Sequence, residues 1–325
     1  MRLPPELLLE VFEYLDAASM QDFAASSKAI ACLTSQFEKS ISTRRTASYG
    51  FEPPQTAALC SNKVRRVAIP ARTYALIREL EMRQNRTEYM FLRSGFVDLS
   101  SPPGMRPLTC SEQLWKLFPL LRRALCLCDR IADMSAHTVQ DTTIQISSTP
   151  ARTIHDDPQA SITSTAFTQY AARPSQVALI QSLDLESVSC LLYLLIVLSV
   201  GFVEGAGGGT PIQAGNPIEW EQVTIFEESV LRHGSWFLWA HIAGTKNPGG
   251  RLHGLKRELM VAGLQELTAW ETGKSRVLPG LKMTVLDRFR RLTQPEDGSQ
   301  QHGHQGTVTH MFDIVRKVVY LGDDA

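Results

Sequence analysis

The chain has 325 residues, of which 43% are hydrophobic and 20% are charged, and its 33 basic side chains balance 33 acidic ones. This apolar content is sufficient for a sizeable core, which excludes global disorder. Balanced charge gives the chain no bulk electrostatic attraction to nucleic acid or to an anionic membrane surface, so we expect neither as a partner.

The first predicted helix opens with two prolines. Pro4 and Pro5 are tolerated only at or before a first helical turn, and Glu6 follows where a negative charge favours a helix N-terminus. Five apolar residues then recur with helical spacing and predict one apolar stripe: Leu7, Leu8, Val11, Phe12 and Leu15. Asp16 interrupts the pattern, so we predict that the helix ends there.

Two more short helices are predicted before residue 42. Ser19 and Asp22 have the spacing of a capping box at the start of the second, which carries Met20 and Phe23 on one side. The third has apolar residues at spacings of three, four and four: Ile30, Leu33, Phe37 and Ile41. A three-helix module of this size is too small to be stable alone, so it needs a partner or firm packing onto the rest of the chain.

The residues of this module occur in a specific order. Leu3-Pro4-Pro5-Glu6-Leu7-Leu8 is followed by Val11-Phe12, by Leu15, by Met20 with Phe23, and by Lys28. This order resembles the F-box family and is especially like F-box proteins of filamentous fungi. The chain departs from the family at Ile30, where Trp or Phe is frequent, and at Ser26 and Ser27, where apolar residues or cysteine are frequent.

The resemblance implies that the chain binds a Skp-type adaptor, and through it a cullin, as the substrate receptor of an SCF-type ubiquitin ligase. It assigns the adaptor contacts to nine residues: Leu3, Pro4, Pro5, Leu7, Leu8, Val11, Met20, Lys28 and Ile30. It assigns the core of the module to four: Phe12, Leu15, Phe23 and Leu33. Such a subunit is not itself an enzyme, and its protein substrate is not identified by the sequence. Two alternatives remain: an F-box protein acting outside ubiquitylation, or the first helices of a larger bundle.

After an F-box over residues 1–41, residues 42–70 contain Gly50 and three prolines and are predicted to form a connector. Helical spacing recurs over 71–325, strand signal is scarce and no fixed repeat occurs, so an all-α protein is predicted. His233-Gly234 should end or kink one helix, and Ser235 should cap the next, over Trp236 to Ile242. The other helices are expected over 71–93, 110–134, 179–203, from 217, 252–270, 281–292 and 310–321. Polar composition predicts flexible segments over about 135–175 and about 293–306.

Residues Val188 to Val203 form a run of 16 residues without a charge. A membrane-spanning helix needs about 20 predominantly apolar residues, and no Lys or Arg closely flanks this run to set an orientation. These features favour the buried central helix of a bundle. A membrane-associated helical protein built around 188–203 stays open as a second class of function.

No catalytic, cofactor or metal site is predicted. Residues Gly201 to Thr210 are rich in glycine but lack the lysine of a phosphate-binding loop, and His302 and His304 have no third ligand nearby. The six cysteines form no CxxC pair, and we interpret them as reduced thiols of a cytoplasmic or nuclear protein. No apolar stretch precedes Glu6, so no signal peptide is predicted.

Overall fold

The computed structural model describes residues 4–49, 52–60, 64–108, 111–146, 172–206, 220–246, 280–293 and 304–320. Within these ranges the protein is predominantly α-helical with one two-stranded sheet, which confirms the all-α prediction. The chain divides into two compact units, Met1–Arg86 and Thr87–Ala325. The first unit therefore contains residues 1–41, the whole of 42–70 and the start of the helical stretch predicted over 71–93.

The first unit begins with α1 (Pro5–Tyr14), α2 (Ala17–Ala25) and α3 (Lys28–Ser48). The cap of α2 is Asp16 rather than the predicted Ser19, since the Asp16 side chain accepts the Ser19 N–H at 2.7 Å. Hydrogen bonds from the backbone and the side chain of Ser19 lower the pKa of the Asp16 carboxyl. The third helix extends to Ser48, beyond the predicted end of the module at residue 41.

Two strands lie in the segment predicted as a connector. The strands β1 (Thr56–Cys60) and β2 (Val64–Ala68) are antiparallel, with Thr56 opposite Ala68. The sequence did not predict them because neither strand alternates polar and apolar residues, which is the pattern of a half-buried strand. The Arg83 guanidinium donates to the Thr56 carbonyl at 2.8 Å and so ties the sheet to α4 (Tyr74–Glu88).

The helix α4 completes the core of the first unit. This core is a cluster of four buried side chains: Phe12, Met20, Ile41 and Ile77. The ring centroid of Phe12 lies 5.3 Å from that of Phe23 and 6.4 Å from that of Tyr74. Ile77 and Tyr74 belong to α4. The first three helices form a module too small to be stable alone, and α4 covers part of its apolar core.

An ion pair between Arg45 and Glu81 joins α3 to α4. The two groups are 2.6 Å apart, and their side chains are only 12% and 16% exposed. Arg45 also donates to the carbonyl of Leu15 at the end of α1. Glu81 also accepts the N–H of Ala17 at the start of α2, at 2.8 Å. One ion pair therefore satisfies backbone groups at two helix ends and connects all four helices of this unit.

The first complete element of the second unit is a π-helical turn, Tyr89–Arg93. The other regular elements described in this unit are α-helices. These helices are α5 (Ser111–Ile146), α6 (172–182), α7 (Leu185–Ala206), α8 (Trp220–His233), α9 (Ser235–Lys246), α10 (Leu281–Thr293) and α11 (His304–Tyr320). The segment predicted to be flexible over 135–175 is helical at both ends, and α11 begins within the one predicted over 293–306. The helix predicted over 252–270 lies outside the described residues.

The helix predicted over 179–203 is in fact two helices. The Asp184 side chain accepts the Ser187 N–H at 2.7 Å and caps a new helix, α7, after α6 has ended. The helix α7 then contacts α5, α8, α10 and α11. It is the one helix in the described part of the chain that could cross a membrane by length and composition, over Leu185–Glu204. Because 72% of this window is buried, its packing is that of a core helix.

The turn between α8 and α9 has the geometry that the sequence predicted. Gly234 has a φ of 65°, a left-handed conformation that favours glycine, and its N–H donates to the Val230 carbonyl at 2.8 Å. Ser235, which the sequence predicted as the cap of α9, is instead its first residue. Its N–H and hydroxyl both donate to Asp129 Oδ1, at 2.8 and 3.0 Å. A buried carboxylate of α5 therefore caps α9.

Glu228 is a buried carboxylate that joins three helices of the second unit. Its Oε1 lies 3.0 Å from Arg173 of α6 and 2.9 Å from Arg232 of α8. Its two oxygens also accept the N–H groups of Leu281 and Lys282 at the start of α10, at 2.9 and 3.1 Å. Burial opposes ionisation of this group, but the two guanidiniums and two N–H donors outweigh it and lower the pKa to about 2.

We expect Glu228→Gln to destabilise the second unit by about 3–5 kcal/mol at neutral pH, because Arg173 and Arg232 lose their buried counter-charge. The folded pKa lies below the ordinary value of 4.5, so the wild-type carboxylate stabilises fully above that pH. This stabilisation is lost as the pH falls towards 2. Urea unfolding followed by tryptophan fluorescence measures it, since all five tryptophans follow residue 86. An unchanged pH dependence in the variant would contradict the assignment.

We predict that two fragments of the first unit differ in the cooperativity of their unfolding. Residues 1–41 lack Tyr74, Ile77 and Glu81, so we expect no cooperative unfolding from this fragment. Residues 1–88 retain these α4 side chains and should unfold cooperatively, as followed by far-UV circular dichroism. A cooperative transition in the shorter fragment would show that α4 is dispensable.

Candidate functional site

The apolar residues of α1 lie on two faces of the helix rather than on the single predicted stripe. Phe12 is 1% exposed, and Leu9 and Leu15 pack around its cluster. On the other side, Leu7 and Val11 are 46% and 42% exposed. A third exposed side chain, Tyr14, reaches 84%. Spacings of four and three place these three residues on one side of the helix, which we call the α1 face.

The α1 face is held in place by contacts that α1 makes with α3. Glu13, in the last turn of α1, forms an ion pair with Arg44 of α3. The bond from Arg45 to the Leu15 carbonyl fixes that end. An apolar surface on a helix fixed in this way is preorganised, so a partner would not have to order it on binding.

The residues predicted to contact an adaptor differ in their exposure. Five of them are exposed: Pro4, Pro5, Leu7, Val11 and Lys28. Leu8 and Ile30 are half-buried, and Ile30 packs against the core cluster. Met20 is only 3% exposed, so its placement on the surface is corrected. The physical reason is that α2 directs Met20 into the cluster with Phe12, Ile41 and Ile77. Leu3 lies outside the described residues.

The residues assigned to the core of the module are mostly found there. Phe12 is buried in the cluster, and Leu15 and Phe23 pack against it. Leu33 is half-buried and is not part of the cluster. Ile77 was not considered for this core, because it follows the module by more than thirty positions in the sequence.

Sequence reasoning missed two exposed aromatic residues. Tyr14 belongs to the α1 face, and its position three residues after Val11 was the signal that could have found it. In the second unit, Trp115 of α5 is 72% exposed, and Leu92 of the π-helical turn is 57% exposed. By contrast, Trp236 of α9 is only 1% exposed.

The described residues contain no group of three or more His, Cys, Asp or Glu side chains that could hold a metal ion. Among the cysteines, Cys128 and Cys190 are buried. Burial raises the pKa of the Cys190 thiol to about 11 and that of Cys128 well above its ordinary value. Thiols with such raised pKa values are poor nucleophiles at neutral pH, which fits a packing role for both.

Comparison with known proteins adds no assignment. The sequence matches no protein-family model, and searches of curated proteins and of solved structures find no match. The features that bear on function are therefore the α1 face and the order of residues within 3–41.

Truncations on the two sides of α1 should affect stability differently. We expect Phe12→Ala to lower the free energy of unfolding by about 3–5 kcal/mol, because it opens a cavity in the core. Leu7→Ala and Val11→Ala should each change it by less than about 1 kcal/mol, since both side chains are largely in water. Native-state hydrogen exchange of the α1–α3 amides in the full chain measures both effects. An equal cost at Leu7 and Phe12 would mean that Leu7 belongs to the core.

Proposed function

We propose that the chain is the F-box subunit of an SCF-type ubiquitin ligase, whose first unit binds a Skp-type adaptor and through it a cullin. The observation that supports this proposal is the α1 face, an apolar surface opposite the core on a rigidly held helix. Exposed apolar patches of this kind are typical of protein interaction sites. Pro4 and Pro5, which the family uses for docking, are exposed at the start of the same helix.

Exposure suggests which of the proposed residues would contact the adaptor directly. Pro4, Pro5, Leu7 and Val11 would contact the adaptor directly, and Tyr14 joins them because it lies on the α1 face. Leu8 and Ile30, which are half-buried, would lie at the border of the contact. Met20 would act indirectly, by holding α2 on the core of the unit.

Lys28 is proposed as an adaptor contact for an electrostatic reason. It is exposed and is the first residue of α3, where the positive end of the helix dipole disfavours a cation. Among the described residues it has no ion pair or hydrogen bond of its side chain. A carboxylate on a partner would offset both disadvantages, so Lys28 is proposed as a polar contact beside the apolar α1 face.

The second unit would hold the target protein. Its exposed Trp115 and Leu92 are candidate contacts, because tryptophan is enriched among the residues that dominate binding energy. The subunit would then contribute position rather than chemistry. It would raise the effective concentration of target lysines near a separate conjugating enzyme.

Co-purification with a Skp-type adaptor tests the proposal. We expect wild type to bind and Leu7→Ala/Val11→Ala to lose on the order of 2 kcal/mol of binding free energy or more, which is over tenfold in affinity. Val67→Ala is the matched control, since Val67 is 37% exposed on β2 in the same unit. Circular dichroism of each variant excludes unfolding as the cause.

The possible results separate the alternatives. Loss of binding in the folded double variant, with binding kept by Val67→Ala, supports docking through the α1 face. A wild type that binds no adaptor would overturn the proposal. Adaptor binding without ubiquitin transfer to any bound protein, in a reconstituted ligase, would indicate an F-box protein that acts outside ubiquitylation.

A further inference from the structure

A groove of about 910 Å³ opens in the first unit between α2, α3, α4 and the strand β1. This volume is near the upper end of the range of small-molecule sites, about 300–1,000 Å³. Short side chains line much of it and leave the space open: Ala17, Ala24, Ala25, Ala31, Ala57 and Ala75. The groove thus has the volume to hold a small-molecule ligand.

The floor of the groove is apolar and fixed. Phe12 and Met20 line it and are themselves members of the buried cluster. The Tyr74 hydroxyl, also at the groove, donates to the Thr34 carbonyl at 2.7 Å. Burial and the nearby Glu38 carboxylate raise the pKa of Tyr74 to about 12, so its ring stays neutral at physiological pH. A ligand would therefore meet a preformed apolar floor.

Three charged residues line the groove, and two of them already have partners. Glu79 forms ion pairs with Arg83 at 3.0 Å and Arg86 at 3.3 Å. Glu38 accepts the Tyr74 N–H at 2.8 Å at the start of α4. The third, Arg78, is exposed and has no ion pair or hydrogen bond of its side chain within the described ranges.

Arg78 lies between apolar groups on the groove side of α4. Ala75 and Met82, which precede and follow it at spacings of three and four, also line the groove. The guanidinium fork matches a carboxylate, which it can bind through two parallel hydrogen bonds. The groove therefore combines an apolar surface with Arg78, a cation whose side chain has no partner among the described residues.

We propose that this groove binds an amphipathic carboxylate, with the chemistry of a long-chain fatty acid. The hydrocarbon chain would lie along the alanine and methionine side chains, and the carboxylate would pair with Arg78. A peptide fits less well, because the alanine, methionine and aromatic side chains that make up most of the lining offer few partners for its backbone N–H and C=O groups. The site would operate whether or not the α1 face binds an adaptor.

Calorimetric titration of the full chain with oleate, below its micelle concentration, tests this proposal. We expect saturable binding that Arg78→Gln weakens roughly three- to tenfold, because one exposed charge-assisted contact is lost. Lys39→Gln is the charge-matched control, since Lys39 is exposed on α3 and does not line the groove. Ala75→Leu keeps a good helix former but fills part of the groove, so it should also weaken binding.

A neutral probe separates the roles of charge and chain. Oleyl alcohol should bind wild type and Arg78→Gln equally but should lose affinity to Ala75→Leu. No saturable oleate binding by folded wild type would overturn the proposal, as would equal oleate affinity in all four proteins. A wild type that ignores oleate, with Arg78→Gln reducing adaptor binding instead, would assign the groove to a protein interface and also reject the ligand site.

Discussion

The ion pair between Arg45 and Glu81 is the contact on which the first unit depends, because it reaches all four helices of that unit. Charges shielded from water need partners for their remaining donors and acceptors. Here these partners are the Leu15 carbonyl and the Ala17 N–H, at two adjoining helix ends. The same arrangement lets α4 cover Phe12 from one side. The exposed α1 face and the groove are therefore two results of how these four helices pack.

Both units use a carboxylate in the same way. Glu81 in the first unit accepts one backbone N–H at the start of a helix, and Glu228 in the second accepts two, while each pairs with arginine. Such a group is stable only when its neighbours are placed correctly, so it selects one arrangement of helices over others of similar apolar burial. A fixed arrangement is what the receptor proposed above would need, since its contribution would be position.

Periodicity and capping residues predicted most helices, and the Gly234 turn, because these features depend on neighbouring residues. The strands lack the polar–apolar alternation of a half-buried strand, and the partition of α1 depends on contacts that are distant in sequence. Periodicity identified Leu7, Val11 and Phe12 as apolar, but α4 decides which of them is covered, and Tyr14 was not predicted for the exposed side. For the same reason Met20 was assigned to the adaptor contacts, although it is buried in one cluster with Ile77. Residues 147–171 and 247–279 lie outside the described ranges.

The central claim is that α1 has one side for the core and one for an adaptor. Photo-crosslinking tests it most directly, with a crosslinking amino acid placed at Val11 in one variant and at Val67 in another. We expect the probe at Val11 to link the chain to a Skp-type adaptor and the probe at Val67 to give no link. Crosslinks from Val67 alone, or from neither position in a complex that forms, would contradict docking through the α1 face.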